Sequence, residues 1–514
     1  MALTDERASG APARLRRRWP ALTPRTSAVV LAVITLAAFA DYTARALIEQ
    51  ARYLTTGYDL GIFDQAVRAY SHFRAPMVPL KGSGYNIFGD HFHPIIAVLA
   101  PLYWIWDSPD TLLVAQAALT AAAIPVVYRF TRRRASAAWS LVAAATFAVG
   151  WPILALVDFD FHEVAFATPL AALAIDALDR RDDRRLILWC ALLLLVREDM
   201  GVIVALLGVL RLTKRPPNRR LVIGLIAAGA VAYAITTQVI IPHFAAGHGF
   251  VYANQFGQLG PSISSALLNI VTKPWHAIAV FFSPATKAQT LALLLLPLCL
   301  LPLRSPYALL ALPLLAERFF NSRTNLWGTV FHYNALPWVI LFLAMVDGAG
   351  RFGLFESNRG AVIGRRALAT VLVATPLLLI IWPVHKIVPI TQLRPEYAHA
   401  PATWQHDAAA LVAHVPASVC VAADNHIVPH LTRRDWTTVA EVNTPDPDFY
   451  AIDMTARDTG GNPPAPKPID VLGMAFSQGY QPVFVSGSFV LLQSARYAGP
   501  SAACAPLGPG KPTR

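Results

Sequence analysis

Residues 28–48 read AVVLAVITLAAFADYTARALI, an apolar stretch long enough to cross a lipid bilayer as one helix. A transmembrane helix needs about 20 mostly apolar residues. The stretch is too long for the apolar region of a cleavable signal peptide, and no clear cleavage site follows it. We therefore expect residues 28–48 to remain in the mature chain as a membrane span.

The composition of the whole chain extends this expectation. Its 514 residues are 55% hydrophobic and only 14% charged, whereas soluble domains carry about 25% charged residues, so lipid must cover part of the surface. Further apolar runs lie at about 94–106, 111–128, 137–157, 164–178, 186–196, 200–210, 221–241, 288–303, 305–316, 335–347 and 367–384. The pattern predicts an all-α polytopic membrane domain over residues 28–385, with about 11 spans. Several runs are short or broken, as is typical where a polar cavity enters the bilayer.

The basic residues give a net charge of +12, and their positions indicate topology rather than nucleic-acid binding. Residues 386–514 hold nine Lys and Arg against ten Asp and Glu, so the basic excess lies among the apolar runs. Clusters lie within 14–18, 129–134, 180–185, 211–220 and 359–366. All of them fall in the cytoplasm if the 94–106 run does not cross fully and 186–210 forms a hairpin. This topology places residues 1–27 inside, and a long first loop at about 49–93 outside.

The chain changes character after residue 385. Residues 386–498 predict a small extracytoplasmic α/β domain, followed by a disordered tail over 499–514. The expected elements are a helix around 404–414, a strand at 419–422, two strands joined by a Ser-Gly turn within 481–493, and a Pro- and Asp-rich loop at 444–468. Cys420 and Cys504 both lie in this part of the chain, and an extracytoplasmic location leaves a disulfide between them open.

Ionisable residues outside the basic clusters fall into four segments that this topology brings to the outer face. They are Tyr58, Asp59, Asp64, Asp90, His91 and His93 in the first loop, Asp158, Asp160, His162 and Glu163 in DFDFHE, Arg197, Glu198 and Asp199 in VREDM, and Glu317, Arg318, Arg323, His332 and Tyr333 in a later loop. Ionisable groups at membrane depth are costly and normally mark a pathway or a site. Their convergence predicts a functional site.

Structural roles compete with this interpretation. Asp64 and Arg68 are spaced i,i+4 and are as readily explained by an ion pair on an interfacial helix. Asp41 and Arg45 have the same spacing, and DFDFHE is also compatible with a solvated turn. VREDM is harder to explain in this way. It interrupts an apolar stretch, where each of its three charges would cost about 2.5–3.5 kcal/mol at the bilayer centre.

Several of these motifs carry a resemblance to known proteins. YDLGIFDQ at 58–65, DHFHP at 90–94, DFHE at 160–163, REDMG at 197–201, and residues 415–431, which begin with VP and end with PHL, resemble an uncharacterised family of bacterial predicted membrane proteins. That family in turn resembles, by architecture, the GT-C superfamily of integral-membrane glycosyltransferases. The resemblance implies a bacterial cytoplasmic membrane, a polyprenyl-phosphate-linked sugar donor and a cell-envelope acceptor.

The resemblance also implies roles for individual residues. Asp59 stands where these enzymes carry a catalytic acid after the first span, with Asp90 as second choice, and Arg197 would contact the donor phosphate. The remaining candidates would line the substrate pocket: Tyr58, Asp64, His91, His93, Asp160, His162, Glu163, Glu198, Asp199, His332 and Tyr333. The sequence departs from the superfamily pattern at Leu60, where a paired acid is usual, and only His93 and Pro94 match its H/K-P-P motif.

Three questions stay open at this stage. His91 and His93 flank Phe92 and, with Asp90, could ligate a divalent metal, although no cofactor follows with certainty from the sequence. A transporter or flippase of a lipid-linked or anionic solute would also use broken helices and charged turns. A non-catalytic membrane scaffold is the third class, but it leaves VREDM unexplained.

Overall fold

A computed structural model describes residues 22–245, 252, 255–355, 362, 364–370, 372, 373, 402–441, 446–460 and 465–511. The basic N-terminal cluster, most of the last apolar run at 367–384 and the expected domain boundary at residue 386 lie outside the described residues. The described part is mostly helical and ends in a small mixed sheet.

The helices are α1 (Pro24–Ala51), α2 (Ile62–Ser71), α3 (Ala100–Tyr103), α4 (Asp110–Arg132), α5 (Ala137–Ala148), α6 (Trp151–Val157), α7 (Val164–Arg180), α8 (Asp183–Leu193), α9 (Met200–Arg211), α10 (Arg219–Ile235), α11 (Ile241–Phe244), α12 (Ile263–Thr272), α13 (Pro274–Phe282), α14 (Ala285–Leu295), α15 (Ala311–Phe320), α16 (Ala335–Arg351), α17 (Thr403–His414) and α18 (Pro468–Ser477). Helix α1 begins as its sequence predicts. Thr23 accepts a hydrogen bond from the Thr26 amide at 3.1 Å, and Pro24 occupies the first helical position.

Four helices in the described part are long and apolar enough to cross a membrane, namely Pro24–Ala51, Asp110–Arg132, Arg219–Phe244 and His332–Arg351. Two bent pairs raise the number to six if each pair is one span: Ala137–Ala148 with Trp151–Val157, and Pro274–Phe282 with Ala285–Leu298. The chain is thus a multi-pass membrane protein, but the expected count of 11 spans is not confirmed. Helix α9, for instance, has 12 residues, or about 18 Å of helix, against a hydrocarbon core of about 30 Å.

Helix α16 is the centre of the membrane domain. All residues from Ala335 to Ala349 are buried, since α7, α6, α15 and the segment 301–310 pack around it. Helix α1, by contrast, buries few of its side chains and leaves an apolar face such as lipid would cover. The core is therefore an apolar bundle in which any buried charge must find a partner within the protein.

The C-terminal strands are β1 (Cys420–Ala423), β2 (Trp436–Val439), β3 (Phe449–Asp453), β4 (Gln481–Ser486) and β5 (Phe489–Gln493). Their order is β2-β1-β3-β5-β4. Strand β1 pairs with β2 and β3 in parallel, while β5 pairs with β3 and β4 antiparallel. The expected helix, the first strand and the terminal hairpin are all present.

Two expectations for this region are wrong. The loop expected at 444–468 contains β3, a buried strand at the centre of the sheet, because the short apolar run FYAI follows directly after the Pro- and Asp-rich residues. The tail expected to be disordered is folded as far as residue 511. Cys504 forms a disulfide with Cys420, and Lys511 forms an ion pair with Asp448. Long-range tethers of this kind cannot be read from local composition.

The sheet domain packs directly on the first loop. The Gly57 and Tyr58 amides donate to the main-chain and side-chain oxygens of Asn425, at 2.7 and 2.9 Å. The Tyr53 ring stacks on His430, with centroids 3.8 Å apart. Gly57 begins a π-helix, Gly57–Gly61, and has no room for a side chain, since an added Cβ would lie 2.5 Å from Val428 Cγ1. The sheet domain thereby fixes the turn that carries Asp59.

We predict that Gly57→Ala weakens this contact. The added methyl group meets the buried Val428 side chain, and overpacking of this kind typically costs about 1–3 kcal/mol. The thermal unfolding midpoint of the purified protein should fall, and Val428→Ala in the same chain should recover part of the loss.

Gly224→Ala is the matched control, because an added Cβ there meets nothing within 4 Å. If Gly57→Ala and Gly224→Ala behave alike, or if Val428→Ala adds to the damage instead of relieving it, the described docking is wrong.

Candidate active site

A cavity of about 290 Å³ lies among the turn before α9, helices α10 and α15, and the start of α16. Its polar lining residues are His91, Arg197, Glu198, Asp199, Tyr233, Tyr252, Gln255, Glu317, Arg318, Asn321, Arg323, His332 and Tyr333. The rest of the wall is apolar and includes Val202, Ile203, Phe256, Ile263, Leu314, Leu326 and Leu336. A concave, largely apolar site with a few convergent polar groups is the usual form of a ligand pocket.

The VREDM turn forms the most highly charged part of this wall. Arg197 binds both carboxylate oxygens of Asp199, each at 2.7 Å, and contacts the buried Glu163 at 3.3 Å. Two parallel N–H···O bonds are the geometry in which a guanidinium holds a carboxylate most firmly. The turn can therefore carry three consecutive charges, since every one of them has a partner.

Glu198 connects the VREDM turn to the first loop. Its carboxylate lies 2.7 Å from His91 Nδ1 and also accepts a hydrogen bond from the Phe92 amide at 3.2 Å. Burial alone would lower the pKa of His91, but Glu198 outweighs burial and raises that pKa to about 9. His91 is thus a cation at neutral pH, and its ring stacks on Tyr252 with centroids 4.5 Å apart.

Asp90 lies just behind His91 and is held by two further groups. It accepts a hydrogen bond from the Tyr252 hydroxyl at 2.5 Å and lies 3.0 Å from Lys81 Nζ. Burial would raise the pKa of Asp90, but Lys81, His91 and the Tyr252 hydroxyl together hold it well below its usual range. Asp90 is therefore an ionised, fully engaged group that does not line the cavity.

Asp59 contacts the DFDFHE turn and does not itself line the cavity. Its carboxylate is 3.2 Å from His162 Nε2 and about one third exposed, at 32%. The His162 ring stacks on His332, which lines the cavity, with centroids 3.7 Å apart. Two stacked imidazoles, of His162 and His332, thus lie between Asp59 and the cavity.

Asp160 and a glutamine of α4 hold His162 in this position. Asp160 accepts hydrogen bonds from the amide and hydroxyl of Thr56, at 2.9 and 2.5 Å. Burial, and after it the nearby Asp59 carboxylate, raise the pKa of Asp160 to about 8. Gln116 donates to the Leu156, Phe159 and Asp160 carbonyls and accepts from the His162 amide at 3.0 Å. The DFDFHE turn is thus built into the protein rather than solvated.

Three of the sequence candidates have other surroundings. Asp64 is fully buried in an ion pair with Arg68 at 2.9 Å and accepts from the Tyr103 hydroxyl at 2.7 Å, so the ion-pair interpretation is confirmed and Asp64 does not line the cavity. Tyr58 lies under Lys81 Nζ, 5.6 Å from the ring centroid. His93 is buried against Phe63 and does not line the cavity either.

Asp90, His91 and His93 were possible metal ligands in the sequence, but the described part of the chain does not bring them together as a metal site. The one group there whose three ligand atoms lie within 4.8 Å of one another is Cys420, Asp448 and Cys504, and its two thiols are joined as a disulfide. Asp90 and His91 instead bind Lys81 and Glu198.

Sequence reasoning did not select several lining residues as site residues. Arg318 is buried, and its guanidinium donates to the Leu326 and Tyr333 carbonyls, at 2.9 and 3.0 Å, and to no carboxylate among the described residues. Arg323 is exposed at the cavity and forms no ion pair with another described residue. Arg318 and Arg323 stand in the later loop that was already noted in the sequence for its ionisable residues. Tyr252, by contrast, follows no charged motif, so nothing in the sequence pointed to it as a site residue.

Comparisons with known proteins agree with this architecture. Residues 51–459 match the family described as "Predicted membrane protein (DUF2079)". No curated protein matches the chain. The crystal structure of ArnT from Cupriavidus metallidurans bound to undecaprenyl phosphate is similar with a TM-score of 0.51 and 11% identity, over 93% of this chain and 100% of that one. The apo structure of ArnT gives 0.47 and 12%, over 92% and 98%.

The likeness to the lipid-bound ArnT structure is one of fold. The family match confirms the resemblance to predicted membrane proteins that the sequence motifs carry, and at 11% identity the likeness to ArnT adds an ArnT-like fold.

We predict a distinctive pH dependence from the pair formed by His91 and Glu198. The pKa of His91 is raised from 6.5 to about 9, so the stability that this pair contributes is fully present below about pH 6.5 and is lost as the pH rises through about 9. Glu198→Gln removes the charge that raises the pKa. The difference in unfolding midpoint between the parent protein and Glu198→Gln should therefore be largest at low pH and shrink through this window.

Asp470→Asn, on the exposed face of α18, provides the control and should differ from the parent by the same small amount at every pH. A Glu198→Gln difference that also stays constant from pH 6 to 10 would show that His91 does not titrate against Glu198.

Proposed function

The chain belongs to the DUF2079 family of predicted membrane proteins, and from this premise we propose that it is a GT-C-type membrane glycosyltransferase. It would transfer a sugar from a polyprenyl-phosphate donor to an acceptor in the cell envelope. The observation that carries the proposal is the cavity of about 290 Å³. Part of its lining consists of charged side chains, and the rest is apolar. A polyprenyl-phosphate sugar has the same two parts, an anionic head and a hydrocarbon chain.

The charge balance of the wall suits an anionic head group. The lining contains three arginines and the protonated His91. Its acidic side chains are also three in number, namely Glu198, Asp199 and Glu317. Arg197 is already bound by Asp199 and Glu163, so it is a weaker phosphate ligand than the sequence suggested. We assign the donor phosphate to the exposed lining residue Arg323 and the buried lining residue Arg318, because neither is neutralised by a carboxylate among the described residues.

Asp59 is the proposed general base. Its carboxylate would take the proton of an acceptor hydroxyl, whose oxygen then attacks the anomeric carbon of the sugar. The bond from that carbon to the phosphate oxygen breaks, and polyprenyl phosphate leaves with its negative charge stabilised by the arginines. His162, 3.2 Å from Asp59, would position the carboxylate. Asp59 is partly exposed, so a polar acceptor can reach it.

The membrane orientation is part of the same proposal. A structural disulfide persists in an oxidising compartment, and Cys420 and Cys504 form one in the sheet domain. This supports a cytoplasmic N-terminus and an extracytoplasmic sheet domain that begins at about residue 386 and includes the folded residues up to 511. Because the first loop packs on the sheet domain, Asp59 would then lie at the outer face, where the acceptor is.

We predict that Asp59→Asn removes the transfer activity while the protein still folds. Asparagine keeps the size of aspartate but cannot accept the proton, and a positioned general base contributes about 10²–10⁴-fold in rate. The assay follows transfer of labelled sugar from a polyprenyl-phosphate sugar by purified protein in liposomes. Asp446→Asn, in an exposed pair with Arg496 on the sheet domain, should keep full activity.

Two outcomes contradict the proposal. Full transfer by Asp59→Asn would show that another group is the base. Movement of the intact lipid-linked sugar across the liposome membrane without any transfer would establish the flippase that the sequence left open.

We also predict that Arg323→Ala weakens binding of the donor. The substitution removes a charge-assisted contact to the phosphate, which corresponds to roughly a tenfold to hundredfold rise in KM for the donor. Arg496→Ala removes an exposed arginine from the sheet domain and should leave KM unchanged. An unchanged KM in Arg323→Ala would place the phosphate elsewhere.

A further inference from the structure

A second cavity, of about 570 Å³, lies where the end of α1 and the first loop meet the sheet domain. Its lining residues are Tyr53, Leu54, Trp404, Asp424, Asn425, His426, Ile427, Asp453, Thr455, Ala456, Arg457, Asp458, Gly460 and Phe489. It shares no lining residue with the candidate active site. The proposed transfer reaction makes no use of it.

The topology of the sheet places this cavity at a favourable position for a ligand. Strands β1 and β3 are adjacent and parallel, with Ala423 opposite Ala451. Asp424 follows the last residue of β1, and Asp453 is the last residue of β3. Ligands of open sheets with parallel strands bind in the crevice outside the carboxyl ends of those strands. Both aspartates stand at that edge.

The side chain of Asp424 has one unused oxygen. Asp424 is only 3% exposed, and its Oδ1 accepts a hydrogen bond from the His426 amide at 3.0 Å. Its buried Oδ2 has no hydrogen-bond partner among the residues that the structure describes. A buried acceptor left without a partner costs about 1–3 kcal/mol, and more when it is charged, so such groups call for an explanation. Asp424 is a lining residue of the cavity, so a molecule bound there is the available source of the missing donor.

The charge around Asp424 indicates which kind of donor fits. Asp453 and Asp458 lie close enough that, after burial, their charges help raise the pKa of Asp424 to about 7. Burial lowers the pKa of His426, which is therefore neutral, and Arg457 is exposed. The ionised Asp453 and Asp458 and the partly ionised Asp424, against one guanidinium, favour a cationic ligand over an anionic one.

A compact metal site fits this arrangement less well than an organic cation. Among the described residues, Asp424, Asp453 and Asp458 do not bring one oxygen each within 4.8 Å of one another. One oxygen of Asp453 is occupied by Thr455 and Ser488, at 2.8 Å each. The cavity is also lined by three aromatic side chains, Tyr53, Trp404 and Phe489, which favour contact with organic cations and sugar rings.

We infer that this cavity is a binding site for a small ligand bearing a primary ammonium group, which donates a hydrogen bond to Asp424 Oδ2. An amino sugar and the ethanolamine head group of a lipid share this chemistry, and either fits within 570 Å³. The inference does not depend on the proposed transfer reaction, because it uses none of the residues of that site.

Isothermal titration calorimetry on the full-length protein in detergent tests the site at neutral pH. Glucosamine and ethanolamine are the amine probes, while glucose and ethylene glycol are their uncharged counterparts. We expect saturable binding of at least one amine and none of its uncharged counterpart. Asp424→Asn should weaken that binding roughly tenfold to a hundredfold, because it removes a charge-assisted hydrogen bond. Asp470→Asn, exposed on α18, should have no effect.

Asp458→Asn is the second variant, in case Asp424→Asn fails to fold. It leaves the buried carboxylate in place but lowers the negative charge around it, so amine binding should weaken by a smaller factor. Preference for glucosamine indicates an amino sugar, and preference for ethanolamine a lipid head group. Equal binding of glucose and glucosamine, binding of Ca²⁺ alone that Asp424→Asn abolishes, or the absence of saturable amine binding would each overturn the inference.

Discussion

The cost of burying charge in an apolar bundle is the constraint on which the rest of this structure depends. Removing one partner of a buried ion pair typically costs about 3–5 kcal/mol, so a charge at this depth needs either a counter-charge or several hydrogen bonds within the protein. Arg197 meets this condition by binding Asp199 and Glu163, and Glu198 by binding His91. These pairs join three segments that are far apart in sequence, and together they make one wall of the cavity. The site is therefore assembled by charge pairing as well as by apolar packing.

The sheet domain extends this assembly to the first loop. Asn425 accepts hydrogen bonds from two amides of the Gly57–Gly61 turn. Thr56, which precedes that turn, donates two hydrogen bonds to Asp160. Asp59 is consequently held from both sides, by the sheet domain and by the DFDFHE turn. A base that must stand at a fixed distance from a lipid-bound donor benefits from such rigid support, because small misplacements reduce the rate strongly. The same docking surface encloses the second cavity around Asp424.

Local rules predicted the parts of the fold that depend on local sequence. The ion pairs of Asp64 with Arg68 and of Asp41 with Arg45 follow from helical spacing, and the membrane class follows from composition. Features that depend on distant partners were missed. The central strand Phe449–Asp453 is stabilised by neighbours on both sides, and the C-terminal residues are ordered by a disulfide across 84 residues. The clustering of charged loops was visible in the sequence, but which charges neutralise one another was not, so the pairing of Arg197 with Asp199 and Glu163 could not be foreseen.

The central claim is that the cavity beside the VREDM turn receives the polyprenyl-phosphate donor. A cryo-electron microscopy structure of the protein with bound polyprenyl phosphate tests it most directly. The account predicts that the phosphate lies within hydrogen-bond distance of the Arg323 guanidinium, with the hydrocarbon chain along the apolar wall formed by Ile203, Ile263 and Leu314. A phosphate bound outside this cavity, with Arg323 and Arg318 untouched, would contradict the account.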